Sequence, residues 1–87
     1  MTVDVLYHDG CPHARATIEL VHQCVDRLGL KVPIREEEGD YPSPTVLVNG
    51  EDVMGPPQQS GRVCRLDVPS AERISQALQH AALLGNE

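Results

Sequence analysis

The sequence predicts a small α/β domain, a central mixed β-sheet of about four strands carrying two helices. Three observations predict it. Short β-branched runs alternate with two longer segments whose apolar residues recur at helical spacing. The N-terminal order strand, helix, strand calls for a parallel crossover. Asn49-Gly50 lies between two strand-like runs and is the strongest two-residue hairpin signal, because both positions tolerate positive φ. With 87 residues there is room for one core, so residues 1–87 read as a single domain.

Val3-Asp4-Val5-Leu6-Tyr7 alternates apolar and polar positions and reads as a strand. His8-Asp9-Gly10-Cys11-Pro12 breaks it, and Pro12 suits the first position of a helix, where a missing N–H costs nothing. Over residues 13–28, Ala14, Ile18, Val21, Val25 and Leu28 form a core-facing stripe, and Gly29 is a left-handed stop. Residues 30–35 read as a second strand. Pro33 cannot donate to a ladder, which puts this strand at an edge or a bulge. Residues 36–44 hold two prolines, a glycine and an aspartate and read as loop. Residues 45–48 form the third strand and 51–54 return antiparallel. A loop over 55–61 leads to residues 63–66, strand or extended. Ser70 is a good N-cap for a second helix with Glu72 in its first turn. Ile74, Ala77, Leu78, Ala81 and Leu84 are its core stripe, and Gly85 ends it.

Hydrophobic residues make up 40%, enough for a packed interior. The aromatics are only Tyr7 and Tyr41, so the core must come from Val, Leu, Ile and Ala. The net charge of −6 and seven scattered basic residues argue against a nucleic acid or an anionic membrane as partner. Glu36-Glu37-Glu38 reads as a solvated strand end. No signal peptide is visible after Met1 and no apolar run reaches spanning length, so a cytoplasmic protein is expected. In that reducing compartment three cysteines, an odd count, are not a disulfide framework.

Cys11 stands where a strand runs into a helix N-terminus. Free N–H groups and the positive end of the dipole lower a thiol pKa there, giving a nucleophile or soft-metal ligand. The plainer alternative is a small N-cap. His8 and His13 complete a His-x-x-Cys-x-His pattern, and His13 could support a thiolate as a nearby cation. The spacing matches no closed zinc pattern, so both histidines read as exposed loop residues, with no metal ligand and no cofactor assigned. Cys24 lies thirteen residues along the same helix, about 20 Å from Cys11, too far for a disulfide. It reads as a small core residue. The Asn49-Gly50 turn pairs Pro44 near Gly55 and returns the chain toward Cys11, which lets Cys64 close a dithiol with Cys11 through space. Otherwise Cys64 faces the core. His22, His80 and Asp52 read as surface residues.

A strand leading into Cys11-Pro12-His13-Ala14, with Ser43-Pro44-Thr45 opening a hairpin strand, resembles the thioredoxin and glutaredoxin superfamily. The resemblance implies a thioredoxin-like fold with a cis-proline at Pro44 opposite the reactive cysteine. Ser43-Pro44-Thr45, Gly50, Asp52, Ser60 and Cys64-Arg65 are also similar to small thioredoxin-fold proteins labelled organomercurial-lyase-like. The fourth motif position is Ala14, so the motif holds no resolving cysteine. The stretch between the second and third strands is too short for the family's middle helix, so a reduced form lacking it is expected.

These residues predict a small thiol protein, a possible thiol–disulfide oxidoreductase or a handler of thiol adducts. Cys11 would be the nucleophile and Cys64 the resolving partner. Pro12, His13, Ser43, Pro44 and Thr45 would line the substrate groove. The partner would be a protein or a low-molecular-weight thiol or disulfide, met by a monomer. Two alternatives stand beside it. One is a soft-metal module holding mercury, copper or zinc through Cys11 and Cys64. The other is a redox-inert scaffold that binds a protein along its sheet edge.

Overall fold

Alternation of valine with polar or longer residues makes the first strand, β1 (Val3–Tyr7), in which Val3 and Val5 are buried and Asp4 and Leu6 are half-buried. The computed structural model describes residues 1–56 and 61–84. After β1 the chain turns through Gly10, whose φ of +89° favours glycine, and the Cys11 N–H donates to the His8 carbonyl. Helix α1 (Ala14–Arg27) follows, with His13 as its N-cap. Its i→i−4 ladder opens with the Thr17 N–H on the His13 carbonyl, because residues 8–11 are used by the turn. Pro12 therefore precedes the helix instead of occupying its first position. Leu28, Gly29 and Leu30 close α1 by donating to the Cys24, Asp26 and Val25 carbonyls.

Strand β2 (Ile34–Glu38) pairs parallel with β1, from Val3 opposite Ile34 to Tyr7 opposite Glu38. It starts later than residues 30–35 and includes the acidic run. Pairing with β1 overrides the composition: an edge strand tolerates glutamates on its solvated side, and Pro33 lies just outside the ladder. Residues 39–44 then connect to β3 (Thr45–Val48) without a helix. Asn49 and Gly50, at φ +54° and +82°, make the expected hairpin turn to β4 (Glu51–Asp52). β4 is two residues long where four were expected. The Val53 N–H adds one rung on the Val46 carbonyl before the Gly55 N–H, bonded to the Asp52 carbonyl, turns the chain away.

The sheet order is β2-β1-β3-β4, with β3 antiparallel to both β1 and β4. Helix α2 (Ala71–Leu84) begins after Ser70, whose Oγ accepts the Arg73 N–H. The proposed stop at Gly85 lies outside the described residues, as do Pro57 and Ser60 of the loop. Val3, Val5, Val46 and Val48 of the sheet pack with Val21, Cys24 and Val25 of α1 and with Ile74, Leu78 and Ala81 of α2. Both helices thus cover one sheet face. The other face is open around Leu6 and Leu47, where a groove of about 570 Å³ runs past Tyr41 and Pro42. Among the described residues, no helix is long and apolar enough to cross a membrane.

Candidate functional site

The end of β1, the start of α1 and the residue before β3 converge on one point. Cys11 is buried there, 8% exposed, with its thiol donating to the Ser43 carbonyl at 3.6 Å. The Ser43–Pro44 peptide is cis.

A second segment reaches the same point from the far end of the sequence. Residues 63–65 run beside Ser43 in a short parallel bridge: the Ser43 N–H donates to the Val63 carbonyl at 2.8 Å and the Arg65 N–H to the Ser43 carbonyl at 2.7 Å. Backbone alternation then points Cys64 and Arg65 to opposite sides. Cys64, exposed, lies with its sulfur 2.8 Å from that of Cys11. Arg65 goes inward. Its guanidinium, 3% exposed, bonds Asp52 and Asp67 at 2.6 Å, Thr45 Oγ1 at 3.1 Å and the Gly55 carbonyl at 3.4 Å. The direct bonds to Asp67, and then those to Asp52, hold the arginine pKa well above its ordinary value against the effect of burial. Asp52 is therefore no surface residue, since its side chain is 7% exposed beneath Arg65. The carboxylate–guanidinium clamp ties the Cys64 segment to the β3–β4 hairpin.

Opposing influences set the thiol chemistry. Burial, the largest, pushes the Cys11 pKa up. A hydrogen bond from the Cys64 thiol, the nearby Ser43 side chain and the N–H groups of His13 and Ala14 pull it down, and together they win. Cys64 moves the other way, because its thiol donates to the Cys11 sulfur and loses that bond on ionising. When the pair gives up its first proton, the negative charge therefore falls on Cys11. Ser43 Oγ is fully buried and makes no hydrogen bond of good geometry. It is the donor that a thiolate on Cys11 would recruit.

His8 completes the group and was misjudged as an exposed loop residue. It is 9% exposed, and its Nδ1 lies 3.0 Å from the Tyr41 carbonyl. A carbonyl can only accept, so Nδ1 carries a proton, and in the neutral form of the ring the lone pair is then on Nε2. Nε2 lies 4.0 Å from the Cys64 sulfur. The donor atoms of His8, Cys11 and Cys64 all fall within 4.8 Å of one another. The sequence signal for His8 was its place directly after a strand and three residues before Cys11.

The other expected site residues are placed as follows. Pro12 and His13 are exposed at the mouth of the site. Ser43, Pro44 and Thr45 are buried and form its floor, where Thr45 Oγ1 donates to the Pro42 carbonyl and accepts from Arg65. Cys24 is 2% exposed and donates to the Ala71 carbonyl at the start of α2, a core residue as expected. A cleft of about 380 Å³ beside Cys11 is bordered by Gly10, Arg15, Ile18 and Glu36. The chain matches no protein-family profile, no curated protein and no solved structure.

Proposed function

We propose that this chain is a dithiol protein of thioredoxin-like type that exchanges disulfides through Cys11 and Cys64. The observation that carries this is the 2.8 Å approach of the two sulfurs, one of which is driven toward the thiolate by the other. The Cys11 thiolate attacks a disulfide RS–SR, forming a Cys11–SR mixed disulfide and expelling RS⁻. Cys64 then attacks the Cys11 sulfur, releasing the second RS⁻. Its proton passes to His8 Nε2 or directly to the departing thiolate. The product is a Cys11–Cys64 disulfide and two thiols, so two electrons move from protein to substrate. The reverse sequence oxidises a dithiol. The β1–α1 turn supplies the donors that hold the thiolate, and the Arg65 clamp holds the resolving cysteine.

Glutathione disulfide is a suitable probe. Cys64→Ser should accumulate a one-to-one glutathione adduct on Cys11, whereas the native chain should pass through it to the internal disulfide. An adduct on Cys24, or none on Cys11 in Cys64→Ser, would contradict the reading.

A further inference from the structure

We propose that His8, Cys11 and Cys64 form a three-ligand site for a thiophilic d¹⁰ cation, zinc(II) or copper(I). The inference uses the sulfurs of the proposed redox pair but does not depend on their forming a disulfide.

The donors match the chemistry. Two thiolates and one imidazole are the ligand set that selects such ions over hard cations. For metal–sulfur bonds of about 2.3 Å and metal–nitrogen bonds of about 2.0 Å, tetrahedral ligands stand about 3.5–3.8 Å apart. The His8 Nε2 to Cys64 separation of 4.0 Å is already near that range. The sulfur–sulfur separation must open by about 1 Å to admit the ion. Rotation of the exposed Cys64 side chain can supply that movement while its backbone stays bonded to Ser43. His8 and Cys11 stand fixed at the end of β1 and the start of α1.

The surroundings match as well. His8 donates Nδ1–H to the Tyr41 carbonyl, the outer contact that aims Nε2 at a metal and fixes the ring tautomer. Ser43 Oγ, fully buried and without a well-formed partner beside the Cys11 sulfur, is free to donate to a metal-bound thiolate. The exposed side of Cys64 leaves a fourth position open to water or a small ligand. Binding displaces the protons of both thiols. No electron is transferred. The metal and the disulfide therefore exclude each other, and oxidation of the pair would eject the ion.

The test uses the reduced full-length chain under anaerobic conditions, titrated separately with Zn²⁺ and with Cu⁺ against chromophoric chelators. At least one ion should bind with one-to-one stoichiometry, protect Cys11 and Cys64 from alkylation, and shift the imidazole resonances of His8 in the native protein. His8→Asn keeps a donor for the Tyr41 carbonyl but lacks Nε2, so it should weaken binding by at least the roughly 10- to 100-fold that loss of an outer-shell partner costs. One-to-one binding of neither ion, unshifted His8 resonances, or native affinity in His8→Asn would each overturn the proposal. A chain that forms the disulfide but binds no ion refutes the metal site alone. A chain that binds the ion but forms no disulfide refutes the redox reading alone.

Discussion

At the scale of the residue, the balance at Cys11 is between burial and donors, and the side-chain donors can be removed singly. The folded pKa is lowered, so the thiolate contributes stability that is present above the unfolded cysteine value, about 8.5, and is lost as pH falls through the folded one. Cys64→Ala removes the donor and should raise the Cys11 pKa, read from the thiolate's ultraviolet absorbance against pH. Cys24→Ser, remote from the site, should leave it unchanged. An equal shift in both variants would mean that the Cys64 thiol does not set the Cys11 charge. Cys11 was legible in the sequence because a strand, a glycine and a proline marked a helix start around it. His8 was not, because its role depends on the Tyr41 carbonyl, 33 residues away, which no local pattern announces.

Among the elements, the residue 63–65 segment decides whether there is a site at all. Two backbone bonds to Ser43 set its register, and the Arg65 clamp sets its depth. Arg65→Met would leave Asp52 buried without its cation, a change that costs about 3–5 kcal/mol in comparable buried pairs. Denaturant unfolding should show that loss, and pairing Arg65→Met with Asp52→Leu should recover much of it. A loss below about 1 kcal/mol would mean the clamp is no more than a surface ion pair. Asp67, half-exposed, has its pKa lowered chiefly by its bond to Arg65. Its contribution should be present above the ordinary aspartate value and fade as pH falls through the lower folded one, and Asp67→Asn should abolish that acid dependence. The hairpin was readable because Asn49-Gly50 fixes both turn and register. The inward Arg65 was not, because a charged residue in a short polar stretch reads as solvated until its two carboxylates are placed. The end of β2 was missed for a similar reason: its glutamates belong to the ladder only because β1 lies alongside.

For the whole molecule, a four-strand sheet with both helices on one face leaves a thin core, built from valine, leucine, isoleucine and alanine with Cys24. That much followed from periodicity and composition, since each helix carries one apolar stripe and each inner strand one valine face, although Leu84, expected on the stripe of α2, is 72% exposed. The joining of two distant segments at Ser43 was reached only as a possibility, because turn geometry gives the direction of a returning loop but not the orientation of its side chains. A core this thin should respond strongly to a cross-link. Cys11 and Cys64 lie 53 residues apart in sequence, so a bond between them removes loop-closure entropy worth about 4 kcal/mol from the unfolded chain. The oxidised protein should resist urea better than the reduced one, by up to that amount. An oxidised form that unfolds earlier would mean that bridging distorts the fold.

The pairing of Cys11 with Cys64 is tested most directly by mild oxidation of the reduced chain, followed by intact-mass measurement and peptide mapping. A monomer lighter by two hydrogens is predicted, with the peptide containing Cys11 joined to the one containing Cys64 and Cys24 still a free thiol. Dimers linked through Cys11, or a link involving Cys24, would contradict the account.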